Sequence, residues 1–306
     1  MTWETPKTDW VTSDGIGYAD MNRIESNTLG VRNATVRKIQ GGGYLIYNNV
    51  SGYDGIVAIQ PLSCYSAGGF PIRQNTEFRK NLNTWALGSG DDKGGMASAV
   101  TPAGRTWYYI YAILNTSSGA IDFMFDDDPG GANIPVGTFD EKRYIGAFKT
   151  RDAGAESSFF ISEMYSIGDR TFINPNDMVA DRDIVYTNIN NQYKLVSLSY
   201  VLPERLVLAQ LNVYSEANKA IGFISNYGGF TVPSGIYASF PSRPPLGEVI
   251  FTRDAPVGAT PNLLTCGGDF PLMVDTDRQI YAALYDTGII DKIYIGVRGW
   301  HDERLI

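Results

Sequence analysis

The chain holds a single histidine, His301, in the string G-W-H-D-E-R. General-base or triad chemistry that needs an imidazole would have to use it. Beside Asp302 and Glu303 it reads more simply as part of a polar surface cluster. Paired carboxylates are the other route to catalysis, because glycoside hydrolysis needs one carboxyl as acid and a second as base or nucleophile. Asp91-Asp92 and Asp126-Asp127-Asp128 are the candidates. Both lie in Gly-rich strings, L-G-S-G-D-D-K-G-G at 87–95 and F-D-D-D-P-G-G-A-N-I-P at 125–135, where acids ordinarily build solvated turns. A calcium loop would alternate its acids, and D-D-D-P-G-G does not. Gly88-Ser89-Gly90 lacks the G-K-S/T and the helix of a phosphate loop. Cys64 and Cys266 stand about 200 residues apart with no C-x-x-C spacing and read as buried free thiols. The expectation is no catalytic residue, no metal, no cofactor and no enzymatic activity.

Aromatic residues offer the better lead. Flat rings stack on sugars while neighbouring acids and amides take the hydroxyl hydrogen bonds. Trp300 with His301 and Asp302, and Tyr227 beside Asn226, are candidate glycan contacts; packing in a core or subunit interface is the competing role. Trp107 is expected in the core, and Trp85 with it. Trp3 and Trp10 are large apolar residues in a short polar strip that cannot bury them alone. They are expected to pack on the rest of the chain or to anchor in a partner's groove, with Lys7 and Asp9 on the polar rim.

Elements must position these residues. Pro6, Gly15 and Gly17 oppose helix, so the first 18 residues read as extended. Asp20 then caps a helix whose seam of Met21, Ile24, Thr28, Val31 and Thr35 has heptad-like 3-4 spacing. Such a helix is marginal alone and packs either on its own domain or against other subunits. Gly41-Gly42-Gly43 ends it. Strand patterns follow at 44–47, 55–59, 106–114, 120–124, 142–149 and 158–165. The T-W-Y-Y-I-Y-A-I-L string at 106–114 suits a strand buried on both faces. A polar stretch near 169–182 separates these from strand patterns at 194–200, 205–214, 221–225, 236–240, 249–252, 280–284 and 292–296. V-L-P-E-R-L-V-L-A at 201–209 reads as two strand pieces split by Pro203. Y-I-G recurs at 144–146 and 294–296, a weak hint of duplication.

Composition agrees. The 33 glycines and 12% aromatic residues among 306 favour strands and tight turns. A net charge of −8 without a basic run argues against nucleic acid as partner. The first 20 residues hold no signal-peptide apolar core, and no stretch reaches the ~18 apolar residues of a membrane span. The fold class expected is mainly β: an N-terminal segment with helix at 1–43, and two β-rich, sandwich-like modules at 44–168 and 169–306.

W-E-T-P-K-T-D-W at 3–10, followed by Y-A-D-M-N-R-I-E-S-N at 18–27, resembles the opening of many tailed-bacteriophage tail-fibre and tail-tip virion proteins. G-S-G-D-D-K-G-G-M at 88–96, T-W-Y-Y-I-Y-A-I at 106–113, N-I-P-V-G-T at 133–138 and K-R-Y-I-G-A-F-K-T at 142–150 resemble a β-module of distal tail fibres. Thr138 stands where that module usually has Tyr, and Tyr144 where it more often has a second basic residue. The resemblance implies a virion component, assembled in a host cytoplasm, homotrimeric, docked to other virion proteins through its N-terminus, and able to meet a host surface glycan. A head, neck or collar fibre without receptor binding and a polysaccharide-degrading tailspike are the alternatives.

Overall fold

A computed structural model describes residues 41–42, 45–47, 55–90, 93–134, 137–150, 164–167, 170–173, 183–187, 194–216, 220–225, 248–252, 265–285 and 292–302. Among these residues every helix-or-strand element is a strand, so the chain is mainly β. In chain order the strands are β1 (Gly41–Gly42), β2 (Leu45–Tyr47), β3 (Ile56–Ile59), β4 (Leu62–Tyr65), β5 (Pro71–Gln74), β6 (Phe78–Thr84), β7 (Gly94–Met96), β8 (Trp107–Leu114), β9 (Ile121–Asp126) and β10 (Glu141–Lys149). They continue with β11 (Met164–Ile167), β12 (Arg170–Ile173), β13 (Asp183–Thr187), β14 (Lys194–Ser197), β15 (Val207–Glu216), β16 (Ala220–Ser225), β17 (Glu248–Thr252), β18 (Thr265–Val274), β19 (Gln279–Tyr285) and β20 (Lys292–Asp302). The helix seam of Met21, Ile24, Thr28, Val31 and Thr35 and the strand pattern at 236–240 lie outside the described residues.

One large sheet runs in the order β10-β8-β9-β7-β6-β3-β2-β11-β12-β20-β15-β18, with β13 also paired to β20. Strands from both sides of position 168 therefore share it. Two smaller sheets, β1-β4-β5 and β14-β19-β16-β17, accompany it. Pairing is antiparallel except where β7 runs parallel to β6 and to β9. There Gly94 is obligatory: a Cβ would fall 1.8 Å from the Thr84 carbonyl oxygen.

Strand β8 shows why its sequence is apolar throughout. All eight of its residues are buried, because both faces are covered. Tyr108 packs on Phe148, which packs on Phe125. On the opposite face Trp107, Tyr109 and Tyr111 meet the 198–206 connection and Tyr144. The pairing of β8 with β10 shifts register between Tyr144 and Gly146. Ile145 is thus the extra residue of a bulge. The shift lets Tyr144 and Phe148, four apart on one strand, serve opposite faces of the sheet.

The 198–206 connection joins the two halves of the chain. Leu198, Val201 and Leu202 are buried. The Trp107 indole N–H donates to the Ser199 carbonyl at 3.2 Å, and Lys149 Nζ donates to the Tyr200 carbonyl at 2.5 Å. The Glu204 amide donates to the Tyr109 hydroxyl at 2.9 Å. Buried apolar side chains from Val57 to Trp300 form a single cluster.

Three strand expectations need correction. The strand that starts at Lys194 ends at Ser197, because the chain turns at 199–202 to cover β8. The first half of V-L-P-E-R-L-V-L-A is that turn, and only its last residues enter β15. The strand that starts at Lys292 continues past Gly296 to Asp302, because β12 and β15 pair with its second half. The two Y-I-G strings lie on strands that bulge at non-equivalent positions, within the string on β10 and beyond it on β20.

Candidate functional site

Trp300 and His301 lie near the end of β20, between β12 on one edge and β15 on the other. Across β12 the partners are Arg170 with His301, Thr171 with Trp300, and Phe172 with Gly299. Across β15 they are Leu208 with His301, Ala209 with Trp300, and Gln210 with Gly299. Cross-strand partners share a face, and successive residues alternate. Trp300, Thr171 and Ala209 therefore form one layer, which is buried. Trp300 is only 1% exposed, and its ring meets that of Trp107 edge-on at 5.6 Å. The core role is the one the structure gives Trp300, and it offers a sugar no open face.

The other face of the same three strands carries Arg170, Phe172, Gln210, Gly299 and His301. Between Val297 and Gly299 the register against β15 shifts, which makes Arg298 the extra residue of a bulge. Val297 stays in the core while Arg298 turns out to solvent. Gly299 has no room for a side chain, since a Cβ would lie 2.1 Å from the Thr171 carbonyl oxygen. Beside it lies a groove of about 400 Å³, walled by Arg170, Phe172, Gln210, Arg298 and His301. Arg170 and Arg298 are exposed; Phe172, Gln210 and His301 are half-buried. Two guanidinium forks, an imidazole and a carboxamide thus bound one concavity beside an aromatic ring. The forks are donors only, and they match carboxylate or phosphate oxygens.

No family model and no curated protein matches the chain. Among solved structures, a Bacillus thuringiensis Cry1Da tryptic core variant is similar at a TM-score of 0.16 and 10% identity, over 88% of this chain and 52% of that one. The chain thus spans about half the length of that protein, and a likeness this slight carries no inference about fold or function.

The acidic loop after β9 has a structural occupation. Asp126 is fully buried. Its carboxylate accepts the amides of Asp128 and Asn133 at 3.1 and 2.8 Å and the Asn133 side-chain amide at 2.9 Å. Asp128 accepts the amides of Gly130 and Ala132. Lys142 Nζ closes the loop from outside by donating to the carbonyls of Gly130, Gly131 and Ile134. Arg205 donates to the Pro129 carbonyl at 2.6 Å and lies 3.8 Å above the Tyr144 ring. Burial, with the hydrogen-bonded and like-charged Asp126 beside it, raises the Asp127 carboxyl above the usual carboxylate range. Asp126 and Asp128 hold the loop through these bonds, but Asp126 does so fully buried rather than as the solvated turn acid expected. Among the described residues no group of three or more His, Cys, Asp or Glu is placed to hold a metal ion.

Asp302 closes β20 opposite Val207. Tyr227, the docking residues Trp3, Lys7, Asp9 and Trp10, and Asp91-Asp92 lie outside the described residues. Sequence reasoning picked one strand of the groove and missed Arg170, Phe172, Gln210 and Arg298. Three separated segments supply the walls, so no local spacing announces them. Gly299 lies beyond the strand pattern read at 292–296, so its close approach to β12 was not legible either.

Proposed function

We propose that the chain is a structural protein of a tailed-bacteriophage particle, a tail-fibre or tail-tip component without enzymatic activity. The observation that carries this reading is the ordered match of W-E-T-P-K-T-D-W and Y-A-D-M-N-R-I-E-S-N at 3–27 to the openings of such proteins. In this reading Trp3 and Trp10 anchor in an apolar groove of a neighbouring virion protein, with Lys7 and Asp9 at its rim. A helix from Met21 aligns three copies of the chain, and the β-rich remainder extends from it.

The distal-fibre motifs add support, because they occupy neighbouring parts of one packed unit. G-G-M is β7, T-W-Y-Y-I-Y-A-I leads into β8, and Y-I-G-A-F-K ends β10; β8 pairs with β10 and with β9, which in turn pairs with β7. Loops such as 127–134 are held rigidly at the ends of these strands, a form suited to presenting a surface to a host or a neighbour. Three copies would multiply a weak contact into a firm one.

The test is removal of residues 1–18 from the chain in a particle-assembly system. The shortened chain should accumulate in folded form yet be missing from purified particles. Undiminished incorporation would refute docking through this segment.

A further inference from the structure

We infer that Lys80 on β6 and Asp122 on β9 condense to an amide, an internal cross-link that the folded chain forms by itself. Both side chains are fully buried. Lys80 Nζ lies 2.8 Å from Asp122 Oδ1 and 3.0 Å from Oδ2. An amine and a carboxyl held in contact react within one molecule, their encounter already made. At a surface, water keeps such a lysine charged and without a lone pair to attack. Here burial disfavours the ammonium and lowers the Lys80 pKa, against the hydrogen bond and charge of Asp122, which brings the nucleophilic neutral amine within reach.

The carboxyl is set up for the same step. Its Oδ2 accepts the Trp85 indole N–H at 3.1 Å and the Gly88 amide at 3.0 Å, two donors placed for the negative oxygen of a tetrahedral intermediate. The indole is held edge-on to the Phe139 ring at 5.6 Å. Its Oδ1 takes the Phe123 amide at 2.8 Å and faces the lysine, so Oδ1 is the oxygen that leaves. The condensation balances from the ion pair. Nζ passes one proton to Oδ1, and the freed lone pair forms the bond to Cγ. A second proton passes from nitrogen to Oδ1, the Cγ–Oδ1 bond breaks, and water departs. The one N–H that remains has its acceptor ready, since Lys80 already donates to the Ala86 carbonyl at 2.8 Å. The amide oxygen is Oδ2, still facing Trp85 and Gly88. Two buried charges are removed with their desolvation cost, and exclusion of bulk water opposes hydrolysis of the product. The inference stands apart from the role in a particle, and its failure would leave the docking result untouched.

The experiment is intact-mass and peptide-mapping mass spectrometry of the folded full-length chain, kept for days near neutral pH. The chain should become one water lighter than its sequence mass. Trypsin should then release the peptide that begins at Lys80 joined to the peptide spanning 106–142, and fragmentation should place the link between Lys80 and Asp122. Lys80→Met and Asp122→Ala should each keep the full mass. Trp85→Phe, which lacks the indole donor, should slow the loss of water by at least about tenfold. A wild-type chain that stays at full mass would overturn the proposal, as would a lost water that maps to other residues or persists in either single variant. The wild-type peptide map decides alone if a variant does not fold.

Discussion

Lys80 and Asp122 are both fully buried and form an ion pair at 2.8 Å. Neither charge is left half-solvated. Asp122 also accepts the Trp85 indole N–H, the Gly88 amide and the Phe123 amide, and Lys80 donates to the Ala86 carbonyl. The pair thereby ties the 85–88 loop to β6 and β9. Burial outweighs the attraction of Asp122 and lowers the Lys80 pKa. Removing one partner strands the other charge, so Lys80→Met should cost about 3–5 kcal/mol. The double variant Lys80→Met, Asp122→Leu should recover part of that loss, and urea denaturation of the wild type, both single variants and the double variant would measure it; additive losses would show the pair is not coupled. Alkaline pH probes a second set of buried groups. Burial pushes the Cys64 thiol from 9.0 up to about 12 and the Tyr109 phenol from 10.0 up to about 12. Both hold their protons more tightly folded than unfolded. Their contribution is complete below the unfolded values and is lost as pH rises through the folded ones, by a few kcal/mol in all. The urea midpoint should therefore hold level from about pH 7 to 8.5 and fall steeply between about 10 and 12; a level midpoint at about pH 11 would contradict it.

At the scale of elements, β8 is the strand on which both halves of the chain converge. Trp107 and Trp300 come from opposite halves and meet edge to face. Replacing either by Ala should cost about 3–5 kcal/mol. A double-mutant cycle should give a coupling of about 0.5–1.5 kcal/mol, and a coupling near zero would mean that the rings are neighbours without interaction. Strand β8 was legible in the sequence because eight apolar residues in a row leave no polar face to expose. Strand β6, with its sequence F-R-K-N-L-N-T, was not. Its inward residue Lys80 looks like a surface lysine until Asp122, 42 residues away, neutralises it. Strand β18 was hidden by Gly267, Gly268 and Pro271. It ends the sheet order, and a proline missing its N–H is tolerated on an edge strand. The second half of β20 was read as a polar chain end because the pairing that extends it comes from β12 and β15.

At the scale of the molecule, the two halves share one cluster of buried side chains, and the 198–206 connection covers a face of β8 that would otherwise be wet aromatic surface. The described strands should unfold together. Tryptophan fluorescence and far-ultraviolet circular dichroism should trace one urea transition with a common midpoint; two separated transitions would show that the halves are independent. The groove over Gly299 belongs to this scale as well. Its walls come from three strands that only the assembled sheet brings side by side, which is why His301 and Trp300 could be picked from the sequence while Arg170 and Gln210 could not. A strand's own pattern shows which of its residues point inward. The neighbour on either side is set by long-range pairing, which no local spacing encodes.

The position of β20 in the sheet has a consequence for biosynthesis. It lies between β12 and β13 on one side and β15 on the other, and the ribosome makes it after every other described strand. Until it emerges, three strands present unpaired backbone edges, the form that invites wrong partners. Between the synthesis of β12 and that of β20 the nascent chain holds these edges open. Closure waits on a single late strand, and chaperone protection matters most in the moments before that strand arrives.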